Sequence, residues 1–243
     1  KRLSSDPGNL KLLIKLNAID VCFSNLKLYC HKDQDKDLAN LCMIAMNDFL
    51  PHKVDLDSLF INDFISTVVK AQSSHVTCAN SVLSSCALIC TLCSQISNIS
   101  EKKNAPMFQT VSSFLNSVGI ASTLIVALQH HEFSASVLCA ILRTICAICS
   151  IKFDPGVDEL RVSFIKVGSF ELFLTILKSV IETRRKEPLL CHAISATIVC
   201  LLDLRVHPFS INKQKELFEN SAPRLLIAML KQYSQCKDIV QDV

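Results

Sequence analysis

The chain has no Trp, only four Gly and an aromatic content of 6% across 243 residues. Average chains hold about 7% Gly, and all-β folds draw on it for their tight turns, so the depletion points to helices. Also missing are a Gly-rich phosphate loop, a Cys, His and Asp set at nucleophile spacing, and a pair of carboxylates in a catalytic pattern. The expectation is a protein that is not an enzyme and uses no cofactor. Nor is there an excess of one charge. With 25 basic and 22 acidic residues and a formal charge of +3, no basic stripe for nucleic acid is expected. No signal peptide is read, and the chain begins at Lys1 instead of Met, from which we expect part of a larger intracellular protein.

What is present is apolar and rich in thiols. Half of the residues are hydrophobic and 13 are Cys, enough apolar mass for a large core. An odd number of cysteines, most of them inside apolar stretches, fits reduced thiols buried as small hydrophobes better than a disulfide framework. That predicts a cytoplasmic or nuclear setting. Ala79–Ile99 and Ala135–Ile151 approach membrane-spanning length. Asn80, Gln95 and Asn98 interrupt the first and Arg143 the second, so both read as helices buried on several sides, with no direct membrane insertion.

A pattern recurs five times at intervals of 45 to 57 residues. A short apolar stretch ends at a small or turn-prone residue, and an apolar segment follows. The copies are Leu16-Asn17-Ala18-Ile19, Ile61-Asn62-Asp63-Phe64, Val118-Gly119-Ile120-Ala121, Val167-Gly168-Ser169-Phe170 and Asn220-Ser221-Ala222-Pro223. Nine residues beyond the aligned position stand Leu26, Ala71, Leu128, Leu177 and Leu230, closing a second helix. Gly and Asn tolerate the left-handed backbone that a sharp turn between two helices requires. A polar turn comes next and contains His31, His75, the pair His130-His131, or the basic run Arg184-Arg185-Lys186.

A third helix follows in four copies, with apolar residues at offsets 1, 5, 8, 9 and 12. These are Leu38, Cys42, Ala45, Met46, Phe49; Val82, Cys86, Ile89, Cys90, Cys93; Val137, Ile141, Thr144, Ile145, Ile148; and Leu189, Ala193, Ala196, Thr197, Cys200. That spacing is one stripe of an α-helix. Asn98–Phe108, Lys152–Glu159 and Val206–Lys213 read as irregular connections carrying Pro106, Pro155 and Pro208.

The three-part unit resembles the armadillo repeat. Val118-Gly119-Ile120 through Leu128 with Val137 through Ile148 carry the likeness best, and Phe164-Ile165-Lys166-Val167-Gly168 through Leu177 is similar. The two-helix HEAT repeat remains an alternative for the first two copies, whose turns lack Gly. The resemblance implies an all-α fold, an armadillo-like right-handed α-solenoid of about five repeats at 10–50, 56–98, 107–151, 159–205 and 213–243, in one domain over 1–243.

Members of that family bind partners along the concave face lined by third helices. Those that take nuclear-localisation peptides repeat a Trp and an Asn there, at positions matching offsets 7 and 11, which here hold Ile44 and Asp48, Leu88 and Leu92, Arg143 and Ala147, Ser195 and Val199. The missing Trp argues against such a cargo adaptor. The resemblance implies a non-catalytic scaffold or adaptor that binds a partner peptide, helix or domain, with Asp48, Leu88, Leu92, Arg143 and Ser195 in the groove. His130, His131, Arg184, Arg185 and Lys186 form a secondary edge. The alternative is a regulatory domain that inhibits an enzyme or cytoskeletal regulator in cis. Self-association through an uncapped end of the stack is also expected, because terminal repeats need polar outer faces.

Two CxxC spacings, Cys90-Thr91-Leu92-Cys93 and Cys146-Ala147-Ile148-Cys149, have the spacing of zinc ligands. Both fall inside expected helices instead of turns, so core packing is the reading and no metal is expected.

Overall fold

The computed structural model describes residues 6–30, 35–52, 58–103, 111–151, 156–183, 187–202, 219 and 222–232. The protein is all-α, and the described residues contain no strand. Helix α1 spans Pro7–Lys15, α2 Ala18–Tyr29 and α3 Lys36–Phe49, and a 3-10 turn at Leu50–His52 precedes α4 at Ser58–Ser74. There follow α5 (Ala79–Lys103), α6 (Val111–Ser117), α7 (Ile120–His130), α8 (Ala135–Cys149), α9 (Val157–Lys166), α10 (Ser169–Glu182), α11 (Pro188–Leu202) and α12 (Ala222–Gln232).

The first helix starts on a side-chain cap. Asp6 Oδ1 accepts from the Gly8 and Asn9 amides at 2.7 and 3.1 Å, satisfying donors that the helix itself leaves open. Three of the aligned turns share one backbone solution. Asn17, Gly119 and Gly168 have φ of 53°, 74° and 82°. At each, the turn residue's N–H bonds back three residues (Asn17 to Ile14, Gly119 to Asn116, Gly168 to Ile165), and the preceding N–H bonds back four. The turn carbonyl then accepts from Val21, Thr123 and Leu172 in the next helix. One residue in the left-handed region thus ends one helix and begins another, bending α6 against α7 by 60°.

Asn62 departs from the alignment. Helix α4 runs through it unbroken from Ser58 to Ser74. Asn tolerates the left-handed turn but does not require it, and continuing the helix places Ile61, Phe64, Ile65 and Val68, all at most 1% exposed, on one buried face. Ser221 lies outside the described residues. A second correction concerns the connections: α5 extends to Lys103 and α9 begins at Val157, so the ends of two segments expected to be irregular are helical.

The helices pack in chain order. Helix α3 rests on α5, α5 on α8, and α8 on α11. Behind them α2 packs on α3 and α4, α4 on α5 and α7, α7 on α8 and α9, and α10 on α9, α11 and α12. The residues that close the second helices, Leu26, Ala71, Leu128 and Leu177, are all 0% exposed. The stripe expected on the third helices is buried or half-buried except at its first position in α3 and α11, where Leu38 and Leu189 are exposed. Phe64, Phe164, Phe170 and Phe173 are the bulkiest fully enclosed side chains, and truncating any of them to Ala costs about 3–5 kcal/mol. Helix α5 also contains Ala79–Ser97, a stretch long and apolar enough to cross a membrane, half of which is buried among neighbouring helices.

Candidate functional site

Small polar side chains knit the third helices together. Ser84 Oγ donates to Asn40 Oδ1 at 2.6 Å, Thr91 Oγ1 to Asn47 Oδ1 at 2.8 Å, and Gln95 Nε2 to the Leu50 carbonyl at 2.7 Å. Partners climb both helices in the same direction, so α3 and α5 run parallel. Between α8 and α11, Thr197 Oγ1 approaches the Leu142 carbonyl at 3.4 Å and Cys146 Sγ at 3.3 Å, and Ser150 Oγ lies 3.5 Å from Cys200 Sγ. These two helices are parallel as well. Between the pairs, Thr144 Oγ1 lies 3.4 Å from Cys90 Sγ.

Beside the α3–α5 bonds lies an open groove of ≈ 410 Å³, lined by Asn40, Ile44 and Asn47 from one helix and Asn80, Leu83, Ser84 and Ala87 from the other. Asn40 and Asn47 are one heptad apart on the same face of α3, and each spends its amide oxygen on α5. Their amide nitrogens take no bond among the described residues. The groove therefore offers uncharged donors and acceptors beside the apolar Ile44, Leu83 and Ala87, the chemistry that suits a main chain rather than a charged side chain.

The proposed groove residues divide. Arg143 is exposed on α8 and Asp48 is half-buried on α3. Leu88 and Leu92 are 0% and 1% exposed and belong to the core, which corrects their assignment to the groove. The helix presents Ala87 and Thr91 instead, one residue earlier, and one residue is a rotation of about 100° on an α-helix. Ser195 is also buried, at 2% exposure. Its hydroxyl donates to the Cys191 carbonyl at 3.0 Å and faces Met229 Sδ at 3.7 Å, so it points at α12. The missed residues Asn40 and Asn47 were findable as polar positions recurring opposite Ser84 and Thr91, at offsets 3 and 10 of successive units.

On the edge, His130 is exposed, while His131 Nε2 bonds the Val76 carbonyl at 2.8 Å and ties the α7–α8 turn to the α4–α5 turn. His75 is buried at 3% exposure. Arg184, Arg185 and Lys186 lie outside the described residues.

All twelve described cysteines are free thiols. Burial raises most of them: Cys86 is pushed up to about 12, and Cys93 and Cys149 are also raised by desolvation. The CxxC pairs point into packing. Cys93 and Cys149 are core residues, and Cys90 faces Thr144. Among the described residues no group of three or more His, Cys, Asp or Glu side chains is placed to hold a metal ion.

Comparison with known proteins places the chain beside none of them: no protein family, no curated protein and no solved structure matches it.

Proposed function

We propose that this chain is a non-catalytic protein-interaction domain, an armadillo-like α-solenoid whose α3–α5–α8–α11 face receives an extended segment of a partner protein inside the cell. The observation that carries the reading is the groove between α3 and α5, where Asn40 and Asn47 hold their oxygens on the scaffold and keep their nitrogens for a ligand. A rigid receptor of this kind spends little ordering entropy on binding, so many weak contacts add up. Arg143 supplies a positive charge farther along the same face.

Selection of a random peptide library on the folded protein tests this. Selected peptides are expected to lose binding to Ala87→Arg, which fills the groove, and to weaken on Arg143→Glu. They are expected to keep binding to Val126→Arg, altered on exposed α7 surface, with circular dichroism unchanged in all three. Peptides indifferent to both groove substitutions overturn the assignment. A compact, isometric scattering profile overturns the solenoid itself.

A further inference from the structure

Two thiols stand apart from the sequestered ones. Cys22, Cys78, Cys90, Cys139, Cys146 and Cys200 are all partly buried, but Cys146 on α8 and Cys200 on α11 meet across neighbouring helices. The Cys200 sulfur lies 3.9 Å from the Cys146 carbonyl oxygen and 3.5 Å from Ser150 Oγ, while the Cys146 sulfur lies 3.3 Å from Thr197 Oγ1. Short side chains that reach across to the neighbouring backbone require closely spaced helices, and Thr197 does the same at the Leu142 carbonyl. A disulfide needs Cα atoms within about 4.4–6.8 Å, a separation that only such closely packed helices provide.

The surroundings of the two sulfurs differ. Arg161 of α9 is 8% exposed and is fixed by the Cys149 carbonyl at 2.8 Å and by Asp158 Oδ1 at 3.1 Å. Its positive charge acts on the Cys200 sulfur. The neighbouring Cys146 first, then the Ser150 hydroxyl and the Arg161 charge, pull the Cys200 thiol below its ordinary value against the opposing effect of burial. The neighbouring Cys200, together with burial, pushes the Cys146 thiol up.

We propose that Cys200 and Cys146 are an oxidisable dithiol in which a hydroperoxide oxidises Cys200 and Cys146 then closes a disulfide joining α8 to α11. In the first step the Cys200 thiolate attacks the terminal oxygen of the peroxide. The S–O bond forms as the O–O bond breaks, and the departing hydroxide or alkoxide takes a proton, leaving a sulfenic acid and water or an alcohol. In the second step the Cys146 sulfur, its proton lost, attacks the sulfenic sulfur and expels the hydroxyl as water. The peroxide receives two electrons and the dithiol gives up two. An external dithiol restores the pair by exchange. Cys149 is excluded as the resolving thiol because it is 0% exposed. The proposal stands independently of the binding function above.

The test uses the whole reduced chain exposed to stoichiometric hydrogen peroxide. Disulfides are mapped without reduction by tandem mass spectrometry that separates Cys146 from Cys149 and Cys200 from Cys191, since each pair shares a tryptic peptide. The expected result is a Cys146–Cys200 cross-link formed about tenfold faster than any other and reversed by dithiothreitol. In Cys146→Ser, dimedone is expected to trap a sulfenic acid on Cys200, and Cys200→Ser is expected to give neither product. A second measurement needs no variant: iodoacetamide at neutral pH is expected to label Cys200 at least about tenfold faster than Cys86 or Cys93. Oxidation starting at another cysteine, resolution by Cys149, or no cross-link at peroxide levels that oxidise glutathione overturns the proposal.

Discussion

Thr91 Oγ1 donates to Asn47 Oδ1 at 2.8 Å, and the two residues occupy the same position in successive units. This bond fixes the register of α5 on α3 and holds the floor of the groove. A double-mutant cycle on Asn47→Ala and Thr91→Ala is expected to give a coupling of about 0.5–1.5 kcal/mol in urea unfolding. A coupling within error of zero means that the two side chains do not meet.

The left-handed turns give a graded series. A Cβ added at Gly119 meets nothing within 4 Å, and at Gly168 the nearest atom is Glu171 Oε2 at 3.7 Å, so substitution there is strained only through the backbone. Gly119→Ala and Gly168→Ala are each expected to cost about 1–2 kcal/mol. Gly119→Asn is expected to cost less, because Asn already holds this conformation at position 17. Thermal melts of the three variants give the ranking, and an Asn variant no better than Ala contradicts it.

Gln72 is 0% exposed, and neither its amide oxygen nor its nitrogen finds a partner among the described residues. Leaving such a group dry costs about 1–3 kcal/mol. Gln72→Leu drops both polar atoms and shortens the side chain by one atom, and it is expected to raise the urea midpoint. A lowered midpoint means that the amide has a bond that the Leu variant loses.

Alkaline pH is expected to weaken the fold. Desolvation raises Cys86 from 9.0 to about 12 and also raises Cys93 and Cys149. Below the unfolded value both states keep these protons, and the stability is present in full. As pH rises above it, the unfolded chain releases protons that the folded chain retains, so stability falls until the folded value is passed. Each such thiol contributes a slope of about 1.4 kcal/mol per pH unit in that window. Urea midpoints under reducing conditions at pH 7.5, 9 and 10 follow this, and Cys86→Ala is expected to flatten the decline. A midpoint constant across that series contradicts burial of the thiols.

The left-handed turns at Gly119 and Gly168 were legible because few residues adopt that backbone cheaply, and Asn17 followed for the same reason. Position 62 carries the same Asn and stays helical, since the burial of Ile61, Phe64, Ile65 and Val68 favours an unbroken α4 and local sequence does not report burial. The apolar stripes of α5 and α8 were equally readable, because helical spacing decides which residues share a face.

Composition and periodicity by themselves determined an all-helical chain with repeated turns and buried thiols. What they left open was rotation. A stripe read from sequence gives the direction of the core only to within about one residue, and Leu88, Leu92 and Ser195 fell on the buried side of that margin while Ala87 and Thr91 reached the surface. Tertiary packing alone set that angle, through the hydrogen bonds from Ser84 and Thr91 to α3. It also brought Cys146 beside Cys200, a pairing between separate units that no local spacing encodes.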